Sequence, residues 1–145
     1  MKVFSCFWRS VGELLSSRFV PVLRPELHKG QMGRIAVIGG SPDYTGAPYY
    51  SGEAALRFGA DLSSIYCALE ASGPIKSYSP EVMVTPFYTY GSGLGRQNAS
   101  FHLDPILSAL PRMHSYTIGP GLGRDPEVWS QVFGVLEVLV KAGKQ

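Results

Sequence analysis

Residues 34–40 read RIAVIGG, an unbroken apolar run that ends in two glycines. Apolar and polar positions do not alternate in it. That is the pattern of a strand covered on both faces, as in a parallel sheet. The next stretch, SPDYTGAPYYSGEAALRFGA (41–60), changes period. Pro48 stands where a first helical turn accepts proline, and Thr45 or Ser41 stands where a cap belongs. Ala54, Ala55, Leu56 and Phe58 continue a helix that Gly59 ends. Residues 61–69, DLSSIYCAL, read as a second strand. A short helix is expected from near Ala71 to just before Tyr78, then a third strand from Glu81 to Thr85. Residues 86–102 are rich in Gly, Ser and Asn without apolar periodicity and read as a long loop. Asp104 as cap and Pro105 in the first turn open a helix over 104–110, closed by Pro111. MHSYTIGPG (113–121) predicts a fourth strand entering a turn. The last segment carries the clearest helical pattern. Asp125 caps it, Pro126 and Glu127 fill its first turn, and Val128, Val132, Val135, Leu136 and Leu139 form its buried stripe.

Strands and helices thus alternate, which predicts an α/β fold with a parallel sheet and flanking helices. The 145 residues suffice for one domain with a core, over about 25–145, preceded by an extension over 1–24. Hydrophobic residues at 45% and charged ones at 17% describe a globular chain rather than a disordered one. A net charge of +2 gives no case for a nucleic-acid or membrane partner by bulk charge. Cys6 and Cys67 have neither disulfide nor metal spacing and fit a reduced compartment, and His28, His102 and His114 are too far apart to form a ligand pair. No apolar run approaches the roughly 20 residues of a membrane helix. In the extension, Lys2, Arg9, Arg18 and Arg24 outnumber Glu13. That bias is compatible with a mitochondrial presequence. The spacing of Val11, Leu14, Leu15 and Phe19 favours an ordinary amphipathic helix, and with it a cytoplasmic protein.

One glycine loop occurs twice. YTYGSGLGR (88–96) and YTIGPGLGR (116–124) agree at seven of nine positions. Their surroundings separate them. The second copy lies between a strand and a capped helix, where glycines let the backbone turn and let a ligand come close, and where helix N–H groups and the positive dipole end favour anions. The first copy has no helix directly after it and reads as chance similarity. GGSPDYTGAP (39–48) is another glycine-rich loop between strand and helix. In an open parallel sheet both loops fall at the carboxyl ends of strands, where ligands bind. The pair points to a nucleotide-like ligand.

Three stretches, HKGQMGRIAVIGGSPDYTGAPYYSGEAALRFGADLS, IKSYSPEVMV and IGPGLGRDP, together resemble the NAD(P)H-hydrate dehydratases. These are the YjeF carboxyl-terminal family within the ribokinase-like kinases, and the ATP-dependent eukaryotic branch is the most similar. The resemblance spans about residues 20–143. It implies the amino-terminal half of a three-layer, Rossmann-like domain. It also implies repair of nicotinamide cofactors damaged by addition of water: ATP, with Mg²⁺, phosphorylates the ring hydroxyl of the S-hydrate, phosphate leaves, and NADH or NADPH is restored. The small-molecule partner is then NAD(P)H hydrate, and an oligomer is compatible with the family. By the same resemblance, substrate contacts fall at Gly119, Gly121 and Gly123 and at Tyr44, Thr45, Gly46, Ala47 and Pro48. Main-chain N–H groups there suit a dinucleotide diphosphate. Lys29 and Arg34 flank the first strand, and Arg34 reads as part of a solvated face.

The departures from the family concern the chemistry. Relatives continue with a DADGL-type strand, an NHxE-type loop, ATP-contacting segments and a GxGD motif that holds the catalytic Asp. None of these is present among the 145 residues. No catalytic residue is therefore expected here, the catalytic Asp being expected beyond residue 145, and the chain is expected to be a truncated, inactive form. Asp43, Asp61, Asp104 and Asp125 read as loop or cap residues. Two alternatives stay open: a non-catalytic nucleotide-binding or interaction module, and another ribokinase-like small-molecule kinase.

Overall fold

The computed structural model describes residues 24–90 and 103–141. Four strands, β1 (Arg34–Ile38), β2 (Leu62–Ala68), β3 (Met83–Tyr88) and β4 (Ser115–Ile118), form one parallel sheet in the order β3-β2-β1-β4. Helices α1 (Gly46–Arg57), α2 (Leu69–Tyr78), α3 (Leu103–Ala109) and α4 (Pro126–Lys141) alternate with the strands. A 3₁₀ turn, Leu110–Arg112, joins α3 to β4.

β1 is central, and its Ala36, Val37 and Ile38 are fully buried, as its unbroken apolar run requires. α1 covers the sheet face that carries Ser63 and Ile65. A Cβ added at Gly52 would stand 2.7 Å from Ser63 Oγ, so glycine in mid-helix lets α1 lie close to β2. Its intrinsic cost of roughly 1 kcal/mol is the condition of that approach. The α3–3₁₀ connection lies on the opposite face, where the Tyr116 hydroxyl donates to the Leu110 carbonyl at 2.6 Å. Asp61 Oδ2 accepts the N–H groups of Gly30 and Met32, both at 2.9 Å, and fixes the turn before β1 to the start of β2.

Several boundaries differ from the sequence expectation. α2 starts at Leu69, before Ala71, includes Tyr78, and tolerates Pro74 inside it. β3 runs from Met83 to Tyr88 rather than from Glu81 to Thr85, so the expected long loop gives its first residues to the sheet. β3 lies at the sheet edge, where Pro86 need not donate to a ladder on both sides. Pro111 lies within the 3₁₀ turn instead of closing a helix. Thr45 stands at the start of α1 without making a side-chain cap bond. Leu136 is only half-buried, whereas Val128, Val132, Val135 and Leu139 form the stripe. Arg34 is not simply solvated, because its Nε is enclosed beside Gly30 and has no hydrogen-bond partner among the described residues. The two readings of residues 1–23, the first glycine copy at 91–96 and the capping by Asp104 lie outside what is described.

From β1 the chain steps outward through β2 to β3, then returns and lays β4 on the other side of β1. The direction of winding reverses between β1 and β4. A reversal of this kind is where open parallel sheets form a ligand crevice, at the carboxyl edge of the strands.

Candidate functional site between two glycine loops

The loop after β1 (39–45) and the loop after β4 (119–125) meet at this crevice. The Gly40 N–H donates to the Pro120 carbonyl at 2.9 Å, and the Gly119 N–H donates to the Ile38 carbonyl at 2.9 Å. The loops touch so closely that side chains are excluded. A Cβ at Gly39 would collide with the Pro120 carbonyl oxygen. One at Gly121 would stand 2.8 Å from the Tyr44 carbonyl oxygen and 2.9 Å from Tyr44 Cβ. Gly121 and Gly123 also have φ of 63° and 75°, a region that L side chains rarely adopt.

A cavity of about 730 Å³ opens between the loops, lined by Ser41, Asp43, Tyr44, Ala47, Tyr90, Gly119, Gly121, Leu122, Gly123 and Arg124. The structure thus brings Gly119, Gly121, Gly123, Tyr44 and Ala47 together. Thr45, Gly46 and Pro48 do not line the cavity. Thr45 Oγ1 shares a 2.6 Å hydrogen bond with the Tyr78 hydroxyl. Pro48 is buried and faces Gly40 from the first turn of α1. Gly46 opens the helix.

The sequence reading missed Ser41 as a lining residue, and with it Asp43, Tyr90, Leu122 and Arg124. Ser41 is 2% exposed, and its Oγ has no hydrogen-bond partner among the described residues. A buried hydroxyl left unpaired is costly and uncommon. Asp43, read as a loop residue, is on the loop as expected but also faces the cavity.

Tyr90 belongs to the first glycine copy, yet its hydroxyl donates to the Leu122 carbonyl of the second. Its pKa is raised, first by burial and then by the carboxylates of Asp125, Glu70 and Asp43, so the group is a neutral donor. On the other flank of the same loop, Trp129 Nε1 donates to the Gly123 carbonyl at 3.2 Å.

The N-terminus of α4 is less free than expected. Asp125 Oδ1 accepts the Glu127 N–H at 2.8 Å, the Asp125 carbonyl accepts the Trp129 N–H at 3.1 Å, and Pro126 has no N–H. The donors left for an anion are therefore those of the loop itself. The N–H groups of Gly121 and Gly123 have no partner among the described residues.

Among the described residues, no group of three or more His, Cys, Asp and Glu is placed to hold a metal ion. No described helix is long and apolar enough to cross a membrane.

Comparison with known proteins adds identity to this geometry. Residues 35–141 match the family model described as NAD(P)H-hydrate dehydratase. The ATP-dependent (S)-NAD(P)H-hydrate dehydratase of Mus musculus is 46% identical over 123 residues, covering 85% of this chain and 33% of the mouse protein. The human protein of the same name is 45% identical over 124 residues, covering 86% and 33%. The chain therefore spans about a third of the length of the curated relatives it matches. A crystal structure of a ribokinase-like superfamily protein from Enterococcus faecalis superposes with a TM-score of 0.64 at 26% identity, covering 81% of this chain and 37% of that one. A protein from Streptococcus mutans has the same fold at 22% identity and a TM-score of 0.67, covering 87% and 41%. With its parallel sheet wound in ribokinase-like fashion and its match over residues 35–141, the chain belongs to the NAD(P)H-hydrate dehydratase family.

Proposed function

We propose that residues 24–90 and 103–141 form the substrate-facing wall of an ATP-dependent (S)-NAD(P)H-hydrate dehydratase, and that the cavity between the two glycine loops receives the phosphate-bearing part of the hydrated dinucleotide. The observation that carries this reading is the buried hydroxyl of Ser41 on the wall of that cavity, which has no partner among the described residues. It is a polar group that a bound ligand would satisfy. The N–H groups of Gly121 and Gly123, without a partner among the described residues, point the same way, since main-chain N–H groups in a glycine loop bind phosphate oxygens without a side chain in between. Arg124 adds positive charge at the rim, and the carboxylate of Asp43 suits a substrate hydroxyl rather than a phosphate.

When bound, ATP would supply the phosphoryl group that turns the ring hydroxyl into a leaving group. The part of the described residues in that chemistry is to bind and orient the substrate. The donors lining the cavity fit a dinucleotide diphosphate. No residue is assigned to Mg²⁺. In this reading the protein acts in the cytoplasm. A fusion of residues 1–24 to a fluorescent protein is expected to stay mainly cytosolic, and clear mitochondrial import would correct the compartment.

The test of function is a chimera in which residues 24–141 replace the matching segment of the mouse enzyme. With ATP, Mg²⁺ and S-NADH hydrate it is expected to restore the absorbance of the dihydronicotinamide. A chimera that melts cooperatively yet shows no turnover would favour a non-catalytic module instead.

A further inference from the structure

We propose that Tyr88 and Tyr90 form a bracket that sets the spacing of the two glycine loops, and that Tyr90 is a positioning residue for the ligand held by Gly119–Arg124. The positioning role rests on the reading of that cavity as a ligand site. The bracket itself does not.

β3 is the outermost strand on its side of the sheet, with β2 and β1 between it and β4. Its end nevertheless reaches both loops. Residues two apart on an extended chain project to the same side. The fully buried Tyr88 donates its hydroxyl to the Gly40 carbonyl at 2.6 Å, and Tyr90 donates to the Leu122 carbonyl. The two rings lie 6.1 Å apart. The Tyr90 N–H is itself tied to Glu70 Oε1 on α2 at 3.1 Å, so the bracket stands on a fixed base. The Gly40 N–H to Pro120 carbonyl bond joins the two clasped loops and closes a ring of contacts.

Within the loop after β4, the Leu122 N–H donates to the Gly119 carbonyl at 3.0 Å and Pro120 fixes its own φ, but the peptides that follow Leu122 have no such internal tie. Glycine at 123 crosses between positive and negative φ at low cost, so the peptides on either side of it turn easily unless held from outside. Two neighbouring carbonyls are so held, Leu122 by Tyr90 and Gly123 by Trp129. In a trans peptide the C=O and the following N–H point in opposite directions. Gripping the Leu122 and Gly123 oxygens therefore aims the N–H groups of Gly123 and Arg124 away from the two aromatic clasps. Contact is close: a Cβ at Gly123 would stand 2.6 Å from the Tyr90 hydroxyl oxygen. Removing that one oxygen frees the peptide to rotate and blurs the donor array.

The test uses the whole 145-residue chain with Trp8→Phe, which leaves Trp129 as the only tryptophan. Tyr90→Phe removes the hydroxyl and keeps the ring, and a thermal melt checks that the fold persists. Tyr50→Phe, at a 72% exposed position, serves as control. In ¹⁵N-glycine spectra, Tyr90→Phe is expected to move the amide signals of Gly121 and Gly123 and to alter Trp129 emission, while the control changes neither. Titrated with NADH, the Tyr90→Phe chain is expected to bind about five- to tenfold more weakly at an unchanged melting temperature, the loss that goes with one positioning hydrogen bond. Unchanged glycine signals and unchanged Trp129 emission would overturn the bracket whatever the ligand result. Moved signals with undiminished NADH affinity would overturn the positioning role. A parent chain whose loop glycines ignore NADH would overturn the ligand site and the positioning role with it, while the glycine and tryptophan signatures still decide the bracket.

Discussion

At the residue scale, Gly121 is the position where conformation and contact coincide. Its φ is positive, and a side chain there would strike Tyr44 on the opposite loop rather than empty space. Gly121→Val in the chimera is therefore expected to cost at least about tenfold in kcat/KM, because the loops are forced apart before any ligand arrives. Gly93→Val, in the first copy, is expected to leave activity within about twofold, and equal losses at both positions would reverse the assignment of the two copies. Cys67 makes a different case. It is fully buried, and burial pushes its thiol from 9.0 up to about 12. The neutral form is the one the fold holds. Below the unfolded pKa, near 9, this contribution to stability is complete, and it is lost as pH rises toward 12, since the unfolded chain ionises first. Melting temperature measured between pH 8 and 11 should fall more steeply for the parent chain than for Cys67→Ala. Parallel slopes would show that the thiol plays no part.

At the element scale, β1 and α4 were legible because their signals are local. An unbroken apolar run leading into glycines, and an aspartate before proline and a four-residue apolar stripe, each specify their element without distant partners. The end of β3 was not legible for the converse reason. Tyr88 and Tyr90 earn their places through carbonyls 48 and 32 residues away, and nothing in the local pattern of 86–90 announces those contacts. Thr45 had the residue type of a cap, but its hydroxyl goes to Tyr78. Of the candidate site, glycines at strand ends could be read from spacing. Ser41, Asp43 and Arg124 sit in the same motifs but required the two loops to be brought face to face. The cap of α4 gives the prediction at this scale. Asp125→Ala removes the acceptor for the Glu127 N–H and is expected to lower stability by about 1 kcal/mol in denaturant unfolding. It also removes negative charge next to the glycine loop. If that loop binds phosphate through its own N–H groups, NADH affinity should hold or rise while stability falls.

At the scale of the whole molecule, the described residues build one wall of a site and leave surface for more. β4 is an outer strand of the sheet, so one row of its main-chain groups has no strand beside it among the described residues. On α4, Phe133, Val138 and Val140 are 54%, 43% and 66% exposed. The dehydratases it resembles are about three times as long as the matched segment. Phosphoryl transfer depends almost wholly on positioning and charge stabilisation, with a base to orient the attacking hydroxyl. Asp61 is engaged by two N–H groups and Asp125 by its helix, and Asp43 is the aspartate that lines the cavity among the described residues. A cavity with one carboxylate and one arginine among the described residues can hold a substrate, yet those residues offer no cluster of groups to cradle and neutralise a triphosphate. The 145 residues on their own are therefore expected neither to dehydrate NADH hydrate nor to hydrolyse ATP, and to be prone to association through the open edge of β4. The check is a purified chain supplied with ATP, Mg²⁺ and S-NADH hydrate, followed by the absorbance of the restored dihydronicotinamide. Turnover near an ordinary enzyme's, about 1 s⁻¹ or more, would mean that Asp43 serves as the base. Asp43→Asn would then have to abolish that turnover while leaving NADH binding in place.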